Sequence, residues 1–452
     1  MHLLRAARPP SASPNRAASL SGMRRAFGLE MAAIGLLVIA CTAGPSESSS
    51  PPATASSSAS QAPTAAVLPT AAPTASSSPA PTASASLAAE PPPNVRTTPL
   101  GQVSGNWLFY GVQIPRPERN RVEVQIVAVP ASGGAAKIVV AFDAAIPTQG
   151  VGYSGIFDNA PYLRRQFSPD GRRMVFSIDG QLVVIDLVTG QAKRLFLDLF
   201  EHRWNLVQGL YPSWSKDGSQ IAFIFAEAIN FAGRIGVVPA AGGSPRELAG
   251  EISAGNSLEW SPDGSRILFI RPGGDAAFMA IMDVASGHVH GLPELAGSSS
   301  PWRARSPELA IAIQYCTEGQ VGPGKQAKIV TIDVGTDSVR TLVDVADPCA
   351  VGLGGLRWNP AVPDELLYIA AGVNNLETHV LNIATGKDTR LPISAYEATW
   401  TWDGSAVAYL AKSPGSSFGS AVRVWKRDGS GETELRRASG AEAFFSIASV
   451  SY

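Results

Sequence analysis

Residues 256 to 292 read Asn256-Ser-Leu-Glu-Trp260, Ser261-Pro-Asp-Gly264, Arg266-Ile-Leu-Phe-Ile-Arg271, Phe278-Met-Ala-Ile-Met-Asp283, Ala285-Ser-Gly287 and His288-Val-His-Gly-Leu292. A short apolar segment ends in Trp, an Asp-Gly turn follows, and two alternating apolar runs lead through a second turn to a fourth, more polar run. That order predicts four antiparallel strands joined by tight hairpins. Asp-Gly suits such turns because glycine accepts the positive φ they require.

The same turn recurs as Phe167-Ser-Pro-Asp-Gly171, Trp214-Ser-Lys-Asp-Gly218 and Trp400-Thr-Trp-Asp-Gly404, with Trp358-Asn-Pro as a degraded copy. The third and fourth runs recur over Val122 to Val139, Val183 to Leu195, Ile235 to Leu248, Ile329 to Leu342, Thr378 to Leu391 and Val422 to Leu435. A unit this small cannot bury its own apolar face and must stack on its neighbours. Four-stranded sheets repeating every 40 to 50 residues or so predict an all-β, seven-bladed β-propeller, whose radial closure protects the sheet edges. Six or eight blades fit as alternatives, because residues 299 to 342 carry Arg305-Ser-Pro-Glu308 where an aromatic residue and Asp-Gly belong.

Closure is expected from the two ends of the repeat region. The first unit starts at its second strand, Asn106-Trp-Leu-Phe-Tyr-Gly-Val112, and Ala443-Phe-Phe-Ser-Ile-Ala-Ser-Val-Ser-Tyr452 reads as an inner strand without its hairpin. If Tyr452 fills the Trp column, the C-terminal strand completes the first blade.

Three regions follow from composition. Residues 1–40 read as a signal peptide: Arg24 and Arg25 precede the apolar run Ala32 to Ala40, which is too short to span a bilayer. Met23 is an alternative start. Val38-Ile-Ala-Cys41 resembles the lipobox of bacterial lipoproteins, which implies cleavage before Cys41 and its lipidation. Residues 41–99 are mostly Ala, Ser, Pro and Thr, a composition too poor in apolar surface to offset ordering entropy, and are expected to form a linker. Residues 100–452 form the propeller.

The repeat itself resembles that of the TolB-type, WD-repeat-like propellers, on the Trp-Ser-Pro-Asp-Gly turn and the apolar strand after it. This resemblance implies an extracytoplasmic propeller that binds proteins or ligands, in some relatives appended to hydrolases. The small α/β domain that precedes the propeller in TolB is absent, and a tether stands in its place.

Charge excludes one class of partner. There are 36 Lys+Arg against 37 Asp+Glu, and five of the arginines but only one acid precede Cys41, so the rest of the chain is mildly acidic and offers no field for nucleic acid. Chemistry is sparse as well. Gly415-Ser-Ser-Phe-Gly419 fits a hydrolase elbow around Ser417, yet a strand follows where a helix is needed, and no His follows His379. Gly319 to Lys325 approaches a phosphate loop, but Gln326 replaces the required Ser or Thr. His288 and His290 share one face of an edge strand, too few ligands for a metal site. No cofactor and no metal are expected.

Three groups of residues remain as candidates. The connections over 140 to 162 and 196 to 211 carry Tyr153, Phe157, Tyr162, Trp204 and Tyr211, which form either a recognition face or apolar caps on the blades. The inner strands bring Arg165, Glu259, Arg303, Arg357 and Glu397 to the axial channel, with Arg164 and Arg305 beside them, where they bind a polar ligand or pair with each other. Cys316 and Cys349 fall in one blade and form a disulfide if oxidised, or two buried thiols if not.

The expectation is a monomeric, lipid-anchored, non-catalytic module outside the cytoplasm that docks a protein or cell-envelope polymer. The alternative is a propeller enzyme of the lyase or glycoside hydrolase type with its site in the channel. A third reading is a structural ring that spaces other components.

Overall fold

The computed structural model describes residues 94–452, except 120, 146–162, 179–180, 196–211, 226–231, 254–257, 274–275, 293–296, 299–301, 316–324, 373–374 and 413–417. Their regular structure is almost wholly β-strand, in consecutive antiparallel meanders. The signal peptide, Cys41 and the linker as far as residue 93 lie outside them. Among the described residues no helix is long and apolar enough to cross a membrane.

The sheet built on the opening sequence pairs Glu259–Trp260 with Arg266–Gly273, then Ala276–Asp283, then Val289–Gly291. Its register puts Trp260 opposite Ile267. The same order builds the sheets over 213–253, 297–344 and 351–391, and a three-stranded sheet over 173–194 to which Phe167 adds a bridge opposite Met174. A nine-stranded sheet holds the rest, as two meanders joined through the single pair Gly419↔Phe444.

Four of the turns after the aromatic residue are latched the same way. Ser215 Oγ donates to Asp217 Oδ1 at 2.6 Å and accepts the N–H of Gln220 at 2.9 Å, while Asp217 also accepts the N–H of Ser219. Ser168 with Asp170, Ser261 with Asp263 and Thr401 with Asp403 repeat the arrangement. Gly264 sits at φ 73°, in the left-handed region that disfavours a side chain. These bonds satisfy backbone groups that a turn would otherwise leave bare.

Apolar clusters fall between sheets, and their order is cyclic. Phe109, Ile126, Met174 and Ile185 join the opening meander to the 173–194 sheet. Val175, Leu182, Trp214 and Phe223 carry contact onward, and Ile235, Val237, Trp260 and Ile267 extend it. Leu268 meets Trp302 and Ile311, Ile329 meets Leu356 and Tyr368, and Leu367 meets Trp400 and Tyr409. Leu410 and Val422 then pack against Leu108 and Val127, back in the opening meander. Face-to-face packing that returns to its starting sheet is the arrangement of a β-propeller. Each fully buried Phe or Leu contributes about 1.5–3 kcal/mol.

The C-terminal strand closes the ring. Ala443–Ser451 pairs along Asn106 to Gln113 as the innermost strand of the opening meander, with Trp107 opposite Val450. Tyr452 does not enter the Trp column. It lies one residue past the strand, exchanges backbone hydrogen bonds with Gly105 at 3.0 Å, and donates its hydroxyl forward to the carbonyl of Gly171 at 2.9 Å. The Trp side chains reach backward instead, Trp214 to the Gln166 carbonyl, Trp260 to that of Ser213 and Trp400 to that of Arg357.

Two further differences stand out from the sequence expectation. Val95–Thr97 adds a strand on the outer edge of the opening meander, with Val95 opposite Phe142, so the chain covers an edge before entering the ring. In the 297–344 sheet the aromatic position is held by Trp302, which bridges to Leu309, rather than lost. Its turn lacks the Ser–Asp latch and uses Arg303 paired with Glu308 at 2.6 Å, with Arg305 at φ 59°.

Candidate functional site at the inner rim

Alternation along the inner strand turns the residue just before each aromatic position to the face opposite the indole. Glu259 and Arg357 occupy that place ahead of Trp260 and Trp358. Arg165 comes from the 3-10 turn Leu163–Gln166, and Glu397 from Ala395–Trp400, where a register shift between Ala395 and Glu397 re-aims it. The ring thus gathers four side chains that lie far apart in sequence.

They are arranged in two ion pairs. Arg165 Nη2 bonds Glu259 Oε2, and Glu259 Oε1 also accepts the N–H of Trp302 at 3.3 Å. Arg357 Nη2 stands 3.6 Å from Glu397 Oε1, which accepts the Ser446 hydroxyl at 3.2 Å and the Ile447 N–H at 3.4 Å. Glu397 therefore ties the closing meander to the C-terminal strand.

Burial dominates the electrostatics. The Glu397 carboxyl is pushed up to about 8 by loss of water, against the pull of Arg357 and the two hydrogen bonds. Glu259 is raised for the same first reason, with Arg165 and Arg357 both opposing it. Arg357 thus acts on both carboxylates, which makes the two pairs one network of alternating charge.

Arg303 is placed elsewhere. It spans two sheets at the turn end, bonding Glu308, Asp364 and the Pro363 carbonyl, with its guanidinium 5.5 Å from the Trp358 ring centre. The expected binding-face residues Tyr153, Phe157, Tyr162, Trp204 and Tyr211 lie outside the described residues, as does Cys316. Cys349 is described, its N–H 3.3 Å from Asp347 Oδ1. Among the described residues no three His, Cys, Asp or Glu side chains gather as metal ligands would.

Sequence reasoning passed over a second cluster beside this network. The third position of the latched turns is Pro169 and Pro262 in two copies, but Lys216 and Trp402 in the others. That departure was the available signal. Arg164 Cζ lies 5.2 Å from the centre of the Trp402 ring, which is 42% exposed.

The chain matches no protein-family model and no curated protein sequence. Among solved structures it is similar to a putative TolB from Agrobacterium tumefaciens, at 15% identity over 76% of this chain and 99% of that one, with a TM-score of 0.40. It is also similar to oligogalacturonate lyase from Vibrio parahaemolyticus, at 10% identity over 75% and 87% of the two chains and a TM-score of 0.46. Acylaminoacyl peptidase from Pyrococcus horikoshii gives 13% identity and a TM-score of 0.49 over 76% of this chain and about half (52%) of the peptidase. Identities this low assign no activity, so the functional reading rests on the residues above.

Proposed function

We propose that this chain is a non-catalytic binding propeller of seven blades, counting the nine-stranded sheet as two, held outside the cytoplasm by a lipid on Cys41. It docks a protein or a cell-envelope polymer through the connections that carry Tyr153, Phe157, Tyr162, Trp204 and Tyr211. One observation carries this reading. Both inner-rim carboxylates are committed, Glu259 to Arg165 and Glu397 to Arg357, whereas an acid–base catalyst needs groups turned toward a substrate. The Ala/Ser/Pro/Thr composition of more than fifty residues after Cys41 suits a tether that lets the ring stand off the membrane. A cystine between Cys316 and Cys349 pins the 297–344 blade, and peptide mapping without reductant recovers the linked pair.

The test compares the full chain with a variant carrying Trp204→Ala and Tyr153→Ala in pull-downs from detergent-solubilised membranes. The intact chain recovers a partner that the variant loses. Equal recovery by both overturns the docking face.

One observation favours the enzyme reading, namely a buried carboxyl at Glu397 that holds its proton near neutral pH. Under that reading the full chain cleaves an acidic or neutral envelope polysaccharide, and Glu397→Gln abolishes the cleavage.

A further inference from the structure

We propose that Arg164, Lys216 and Trp402 form a second binding site, at the turn end of the axis, for a ligand that joins a phosphate or carboxylate group to a flat apolar face. The three residues come from three separate sheets, and only ring closure brings them together. Arg164 precedes Phe167, Lys216 lies in the turn after Trp214, and Trp402 lies in the turn after Trp400.

The two cations feel nearby acids, Asp170 at Arg164 and Glu259 at Lys216, but neither acid is in ion-pair contact with them. Among the described residues no carboxylate pairs with Arg164 or Lys216, although each neighbouring acid is accounted for. Glu259 is held by Arg165, and Asp170 accepts Ser168 Oγ and the N–H of Arg172 within its own turn. Tyr452 directs its hydroxyl at the Gly171 carbonyl. Arg164 is partly buried, and loss of water lowers it to about 10, with Tyr452 and Asp170 opposing. Lys216 is lowered too, first by loss of water and then by repulsion from Arg164, with Glu259 opposing. Two cations that repel each other and have no carboxylate in ion-pair contact suit an added anion at that spot.

The ligand's second feature follows from Trp402. Its indole is 42% exposed, which is unusual for so large an apolar group, and the backbone beneath it is fixed by the bond from its N–H to Ser449 Oγ at 2.9 Å. The guanidinium of Arg164 covers the ring at a cation–π distance. A planar ligand can stack on the open part of the ring while its oxyanion takes the guanidinium and ammonium donors, which suits Arg to bidentate contact and Lys to a point charge. This site shares no residue with those assigned to the docking face, so each is tested by its own variants.

Phenyl phosphate is the probe, with inorganic phosphate and benzyl alcohol as its charge-only and ring-only controls. The full chain in detergent is labelled with 15N-Trp, and the Trp402 indole resonance is assigned by Trp402→Phe. Phenyl phosphate is expected to shift that resonance saturably and more tightly than either control. Lys216→Gln, an exposed turn substitution checked by its melting curve, weakens the binding about tenfold, as loss of one charge-assisted hydrogen bond would. Added salt weakens it further. An unmoved Trp402 resonance overturns the proposal, and so does equal affinity in Lys216→Gln. Equal affinity for inorganic phosphate and phenyl phosphate overturns the role given to the indole.

Discussion

Tyr452 donates its hydroxyl to the carbonyl of Gly171, a residue 281 positions earlier in the chain, at 2.9 Å. Its backbone is meanwhile paired with Gly105, so the end of the chain bonds both the opening meander and the turn of the next sheet. Val450 completes the contact, because a Cβ built on Gly171 would stand 2.2 Å from Val450 Cγ1. Closure is therefore a packed joint.

Tyr452→Phe removes one partly buried hydrogen bond and is expected to cost about 1 kcal/mol, read as a lowered thermal midpoint. Deleting residues 443–452 strips the innermost strand from the opening meander and exposes the apolar faces of Phe109 and Tyr110, both fully buried. That truncation should abolish cooperative melting. A truncated chain melting like the intact one would mean the ring does not depend on this strand.

Ser261→Ala removes the hydroxyl that donates to Asp263 and accepts the Arg266 N–H at 2.9 Å. Ser261 is 3% exposed, so water cannot replace it, and a loss of about 1–2 kcal/mol is expected. Ser286→Ala in the exposed outer turn of the same sheet, where Ser286 Oγ donates to Asp283 at 2.7 Å, should cost under half as much. Urea titrations of the two variants check the ranking, and equal midpoints would contradict it.

Gly111 lies under the ring of Phe445, whose Cζ would be 2.1 Å from an added Cβ. Gly111→Ala forces that ring out of a packed cluster and should destabilise by about 1–3 kcal/mol. Because the two residues share one clash, Gly111→Ala combined with Phe445→Ala should cost less than the sum of the single changes. A strictly additive double mutant would show that the ring yields freely.

Glu397 sets a pH dependence of definite sign. Its carboxyl is raised in the fold from the usual 4.5 to about 8, so the fold binds this proton more tightly than the unfolded chain does. The contribution to stability is complete below about 4.5 and is lost as pH rises through about 8. Glu397→Gln keeps a neutral group at the site, so the wild type should lose midpoint relative to this variant as pH is raised across that window. Parallel curves for the two proteins would place the titration elsewhere. Glu259 is shifted in the same direction and should be replaced in a separate variant to distinguish the two.

Local signals carried much of the architecture. Trp260-Ser-Pro-Asp-Gly264 and its copies specify their own hairpins because the serine, the aspartate and the left-handed glycine satisfy a turn within six residues. The apolar alternation of Arg266–Gly273 and Ala276–Asp283 places those strands at once, since a strand's period of two sends every second side chain to the same face. The TolB-type resemblance rested on these same residues and extended to fold. Where the local pattern is altered, legibility ends. Trp302 was overlooked because an arginine stands where the latch serine belongs, and the latch there is an ion pair formed with Glu308. The outer strand Val95–Thr97 carries three unremarkable residues and is defined only by the edge it meets.

Arg165, Glu259, Arg357 and Glu397 could be named as axial from their positions beside the aromatic residues, but not paired. Alternation along a strand says which face a side chain takes; it does not say which other strand stands opposite. That depends on the rotation from sheet to sheet around the ring, a property of packing among the clusters that run from Phe109 to Leu410 and back. The same holds for Arg164 and Trp402, neighbours in space with 237 residues between them, whose meeting follows from the C-terminal strand taking its place beside Asn106–Arg116. Sequence alone determined the repeating unit, because hydrogen bonds and apolar periodicity act over a few residues. Tertiary structure decided which charges neutralise each other and which stay open, because Coulomb interactions and desolvation depend on distances that exist only once the ring has closed.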